Sequence, residues 1–130
     1  YNCPATSGAY NDVRCKYFVV YRNKRVVAVS LIIAVLDINE EGEVNLLWNN
    51  TGDSPEDIKR EAKDKHQKHI QDTPVRVFML DRMVGIEFTK DSPGGMMGSK
   101  RYLNIEKLNV EKVEGLAQSL DGKTWSEFGL

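Results

Sequence analysis

The chain has 130 residues with 18 Lys+Arg against 19 Asp+Glu and a formal charge of -1, which sets aside the disordered, collagenous and strongly basic classes. Without an excess of cations there is no global attraction to phosphates, so a nucleic-acid partner is not expected. Its length suits a single domain, residues 1–130, with one real core.

Cys3 and Cys15 are the only cysteines. The segment between them is rich in turn formers (Pro4, Ser7, Gly8, Asn11, Asp12), and they are read as one disulfide closing an N-terminal loop over residues 1–15. That pairing implies an oxidising, extracytoplasmic setting: secreted, periplasmic or cell surface. The triplet Asn49-Asn50-Thr51 fits the N-glycosylation pattern at Asn49. The chain begins at Tyr1, which suggests a mature product, an excised ectodomain or the ordered part of something longer. Residues 26–36 form the longest nearly apolar run, well short of the ~20 residues of a spanning helix. Membrane attachment is expected only through an anchor outside this sequence.

Residues 15–21 and 26–38 are β-branched and aromatic, and the polar stretch Arg22-Asn23-Lys24-Arg25 separates them as a hairpin tip. Both faces of 26–38 are apolar, and one of them is small. The spacing predicts a central strand covered on both sides. Residues 39–42 make a turn and 44–48 a third strand. A helix is predicted over 55–71, with Ser54 as N-cap, Pro55 at the first helical position and acids at Glu56 and Asp57. Its apolar stripe is thin: Ile58, Ala62 and Ile70. Residues 75–80 and 83–89 are two more strands, the second turning Val84, Ile86 and Phe88 inward.

Then comes the loop Ser92-Pro-Gly-Gly-Met96-Met97-Gly-Ser99, followed by a five-residue repetition, Leu103-Asn-Ile-Glu-Lys and Leu108-Asn-Val-Glu-Lys. The odd period requires a bulge or a break near Lys107. Residues 113–120 and 123–128 flank Asp121-Gly122 and are predicted as a final hairpin. The expected class is α+β: mostly antiparallel sheet or sandwich of about seven strands, with one amphipathic helix.

Asp37-Ile-Asn39-Glu-Glu41-Gly-Glu-Val-Asn45 places oxygen-bearing side chains at alternate positions around a glycine, a spacing that can wrap calcium. The segment matches part of an EF-hand loop, and it more closely resembles the calcium loop of FG-GAP type propeller repeats, with Glu41 and Asn45 in place of two Asp. That resemblance implies Ca2+ held by Asp37, Asn39, Glu41 and Asn45; no other cofactor is expected. Ser119-Leu-Asp121-Gly-Lys-Thr-Trp125 resembles the Asp-box hairpin of sialidase-like β-domains, one residue shorter, and implies a Trp-pinned hairpin.

His66 and His69 share one face of the predicted helix and form a candidate acid-sensing pair. No G-x-S-x-G elbow, H-E-x-x-H pair, P-loop or G-x-G-x-x-G occurs, and the chain is read as non-enzymatic. Two flexible methionines in a glycine frame, Met96 and Met97, suit a partner-binding loop, and Arg22, Lys24 and Arg25 suit contact with an acidic partner. The expected function is protein recognition by an ectodomain or accessory subunit of a secreted, periplasmic or cell-surface assembly, with a partner protein or a homo-oligomer. The sensory ectodomain of a membrane regulator is one version. A calcium-binding module is the alternative, and a small hydrolase the third reading.

Overall fold

The computed structural model describes residues 2–4, 14–68, 74–94 and 102–130, apart from the side chains of 2–4 and 66–68. The chain is mixed α+β, with antiparallel strand pairing and two α-helices: β1 (Asn2–Pro4), β2 (Tyr17–Arg22), β3 (Arg25–Ile38), β4 (Val44–Asn49), α1 (Pro55–Lys68), β5 (Val75–Leu80), β6 (Val84–Thr89) and α2 (Val113–Leu120), with short 3-10 turns at Glu106–Leu108 and Trp125–Phe128. Six strands are present among the described residues, against about seven expected, and one of them has only three residues. None of the described helices is long and apolar enough to cross a membrane.

The chain forms two compact units, and the 14-residue β3 gives its second half to the first unit and its first half to the other. In the first unit the strand order is β1-β5-β3-β4, every pair antiparallel. Leu36 pairs with Val77 on one side and with Leu46 on the other. One face of this sheet contributes Ala34, Leu36, Ile38, Val75, Val77 and Met79 to a core closed by Ile58 and Ala62 of α1. Two of the three residues expected to form the helix's thin stripe, Ile58 and Ala62, therefore dock it, and Ile70 lies outside the described residues. Its start is also as expected, with the Ile58 N–H bonded to the Ser54 carbonyl at 3.0 Å. A backbone N–H bond first, and then the Ser54 hydroxyl that donates to Glu56, hold that carboxyl below the ordinary glutamate value.

In the second unit β3 lies between β2 and β6. Val26, Val29 and Phe88 face Leu116, Ala117, Leu120 and Trp125, all buried. Trp125 is at the centre, with the Tyr21 ring centroid 5.9 Å away and that of Phe88 6.2 Å away.

The C-terminal third corrects the sequence reading. Residues 113–120 form a helix rather than a strand, because Val113, Leu116, Ala117 and Leu120 recur at i, i+3, i+4 and i+7, the spacing of one helix face. Asp121-Gly122 ends that helix instead of turning a hairpin: the Asp121 N–H bonds to the Ala117 carbonyl, and Gly122 takes the left-handed conformation at φ 74°. Residues 123–124 run beside β6, where Thr89 and Thr124 make a parallel bridge, and the chain then coils into the second 3-10 turn. The repetition at 103–112 forms no strand; its break falls where expected, at Glu106–Leu108, followed by Asn109 at φ 50°.

Candidate functional site

β2 and β3 meet in a two-residue turn whose central residues, Asn23 and Lys24, both have positive φ, 52° and 60°. This is the type I′ geometry, whose twist matches the flanking strands. Asn tolerates it because its short polar side chain can bond locally to the backbone; Lys lacks that compensation and is strained there. The turn holds Arg22, Asn23, Lys24 and Arg25 in water at one end of the second unit. Arg25 is paired to Glu87 of β6 at 2.7 Å.

The turn is fastened to the segment just past the end of β6. The Lys24 carbonyl accepts the Lys90 N–H at 2.8 Å. Lys90 continues the inward alternation of Val84, Ile86 and Phe88 and is only 6% exposed. Its ammonium donates to the carbonyls of Ser92, Pro93 and Gly94 at 2.9, 3.3 and 2.8 Å, and lies 6.0 Å from the centre of the Trp125 ring. A buried ammonium needs its donors satisfied, and three carbonyls on one short loop meet its three N–H groups. Asp91 ties the same segment to the C-terminal turn: its carboxylate accepts the Ser126 N–H at 3.0 Å and also the Ser126 hydroxyl. Those bonds, the hydroxyl's first, hold the Asp91 carboxyl below the ordinary aspartate value.

The basic tip and the base of the glycine-methionine loop, read separately in the sequence, are thus one corner of the second unit. Met96 and Met97 lie outside the described residues. The residues that join the corner, Lys90, Asp91 and Ser126, were missed in the sequence. The one signal for Lys90 was its parity on β6, which puts a lysine where an apolar side chain belongs.

The other candidates are dispersed. No disulfide is present among the described residues. The strand order accounts for this: Cys3 sits opposite Arg76 on the outer side of β5, whereas the Cys15 carbonyl accepts a bond from Asn50, just past β4. β5 and β3 stand between them, a separation of about 14 Å against the roughly 4–7 Å between Cα atoms that a disulfide requires. Asp37 is engaged by Arg76 at 2.8 and 3.0 Å, and the Asn39 Oδ1 accepts the N–H groups of Glu41 and Glu43, closing the β3–β4 turn. Asn45 is across from Asp37 on β4. Among the described residues no group of three His, Cys, Asp or Glu is placed to hold a metal ion.

Asn49 ends β4 with its Oδ1 accepting the Thr51 and Gly52 N–H groups and its Nδ2 donating to Asp53. His66 falls within α1. Its side chain, and all of His69, lie outside the described residues. The Asp-box-like segment is the end of α2 and the turn after it, and Asp121 caps the Glu87 N–H at 2.8 Å.

Comparisons with protein-family models, curated proteins and solved structures found no match to this chain.

Proposed function

We propose that this chain is a non-enzymatic protein-recognition domain whose contact surface is the corner built from the Arg22–Arg25 tip and the loop base at residues 92–94. The observation that carries the reading is the Lys90 clasp: one buried ammonium orders three successive carbonyls of an exposed loop, while its own N–H holds the strained turn. Rigid presentation of a loop lowers the entropy lost on binding a partner. The polar side chains of the corner are used on one another, Arg25 on Glu87, Asp91 on Ser126 and Glu127 on Thr124, which favours a scaffold over a reaction centre. The extracytoplasmic setting loses the support expected from Cys3 and Cys15 and rests on the Asn49 triplet, so recognition is proposed whatever the compartment.

The test is charge reversal. Arg22→Glu with Lys24→Glu should leave the melting behaviour close to wild type, since both side chains are in water. The partner protein retained by the immobilised wild-type chain should be lost. Unchanged retention by the folded double variant would overturn the reading.

A further inference from the structure

β4 is the edge strand of the first unit, and among the described residues it pairs with β3 alone. The Asn39 N–H bonds to the Glu43 carbonyl at 3.0 Å, so alternation directs the backbone groups of Glu43 and Asn45 at β3 and those of Val44 and Leu46 away from it. Those outward groups meet no backbone partner among the described residues. The side chains of Val44 and Leu46 pack on the core and hold this stretch in place. From Val44 to Asn49 the strand carries no proline and no charge, devices that ordinarily blunt such edges, and Asn45 is exposed. What does interrupt the edge is a bulge, since β3 pairs Leu36 with Leu46 but Val35 with Trp48. It shifts the alternation by one residue and so confines an added strand to Val44–Leu46.

The two ends of β4 carry opposite charges. Before it, the turn leaves Glu40 and Glu41 in water. After it, the exposed Arg14 donates to the Asn49 carbonyl at 3.1 Å and to the Asn50 Oδ1 at 3.2 Å, both neutral acceptors. Beyond the bulge the Asn50 N–H bonds to Ile33 of β3, so the Asn49 carbonyl points outward and Arg14 lies on the outer side of the strand. The neighbouring Asp53 carboxylate is bonded to the Thr51 hydroxyl.

We infer that two copies of the chain join β4 to β4, antiparallel about a twofold axis at Asn45. In that register Val44 of each copy exchanges backbone bonds with Leu46 of the other, and the two first-unit sheets become continuous. Asn45 stands opposite Asn45 without like charges, and the Glu40–Glu41 turn of each copy comes to the end of the other's β4, beside its Arg14. Other registers fit less well. Centring on Val44 sets Leu46 opposite Gly42, whose N–H is already bonded to the Asn39 carbonyl; centring on Leu46 sets Val44 opposite Trp48, whose backbone faces β3. Parallel pairing lays acidic turn beside acidic turn. A foreign strand satisfies the main chain alone, whereas a second copy satisfies the charges too. This surface belongs to the first unit and is distinct from the recognition corner.

The test is sedimentation velocity of the full chain from micromolar to millimolar concentration. So short an edge buries less than a standard interface, and the wild type should pass from monomer to dimer across that range. Val44→Pro removes one outward N–H and none of the bonds to β3, and should weaken the dimer by about tenfold or more. Asn45→Lys sets two ammoniums on the axis, while within each chain it stands across from Asp37; it should abolish the dimer and keeps the test decisive if the proline variant does not fold. Arg14→Glu, and Glu40→Lys with Glu41→Lys, should each be monomeric alone and dimerise when mixed, since only the mixture sets opposite charges together at both ends. In a Cys3→Ser, Cys15→Ser background, Asn45→Cys should be cross-linked by mild oxidation, because a non-hydrogen-bonded pair holds its Cα atoms about 4.5 Å apart.

The inference is overturned by a monomer at millimolar concentration, by a dimer indifferent to Asn45→Lys, or by charge-swapped chains that stay monomeric when mixed. A monomer whose Val44 and Leu46 amide resonances shift only on addition of a foreign extended peptide would also overturn it, giving the edge to another protein.

Discussion

Replacing Lys90 with Met removes the ammonium and keeps most of the stem. Hydrogen bonds to a charged group are worth roughly 1.5–3 kcal/mol each, and the two shorter ones, at 2.8 and 2.9 Å, count fully while the third at 3.3 Å counts little. The gross loss is therefore about 3–6 kcal/mol. Against it stands the desolvation of an ammonium that is 6% exposed, several kcal/mol that the Met variant does not incur. The freed carbonyls of Pro93 and Gly94, already exposed, can also turn to water. The net cost to stability should be about 1–2 kcal/mol, or a fall in Tm of roughly 4–8 °C for a chain of this size.

Local order should suffer more than stability does. 15N order parameters at Ser92 and Gly94 should fall from about 0.85 to below about 0.6. Melting followed by fluorescence in a Trp48→Phe background lets Trp125 alone report on the second unit. Lys90→Arg should also loosen the loop, because a planar fork cannot point its donors at three carbonyls gathered around one nitrogen. Unchanged order parameters at Ser92 and Gly94 in Lys90→Met would refute the clasp.

Further outcomes follow from the same geometry. Lys24→Gly relieves the positive φ of 60° and should stabilise the chain by about 1 kcal/mol in urea denaturation. Trp125→Ala empties the centre of the second core and should cost about 3–5 kcal/mol, read as loss of the ring-current-shifted methyl resonances of Leu116 and Leu120. Ile58→Ala removes the larger of the two buried side chains by which α1 is docked and should cost roughly 2–4 kcal/mol, with loss of helical circular dichroism on mild heating. Asp91 and Glu56 are both held below their ordinary values, 3.8 and 4.5, so their contribution is complete above those values and is lost as pH falls through the folded-state ones. Stability should decline below about pH 4.5, and less steeply in Asp91→Asn; an identical acid limb in that variant would contradict the assignment.

Much of the fold was legible because its signals were local. The run at 26–38 is apolar on both faces and becomes the strand shared by both units, and Ser54-Pro55-Glu56 starts α1 where a cap, a proline and an acid should. The final third was misread because Asp-Gly suits two geometries: both the central residues of a type I′ turn and the residue after a helix take positive φ. The helical spacing of Val113, Leu116, Ala117 and Leu120 was the better guide. A disulfide between Cys3 and Cys15 was inferred from nearness in sequence, and strand order, a non-local property, separated them. The corner was half legible: the basic tip and the Gly-Pro loop base stood out by composition. What fuses them is one lysine at the inward parity of β6, and burial of that charge depends on three carbonyls whose convergence no local pattern announces.

The most direct test of the account is site-specific photo-cross-linking in the protein's own cell extract, from a probe at position 24 and, as control, from one at position 63 on the exposed face of α1. A discrete protein adduct is expected from position 24, weakened by Lys90→Met and absent from position 63. The same adducts from both positions, or none from position 24, would contradict it.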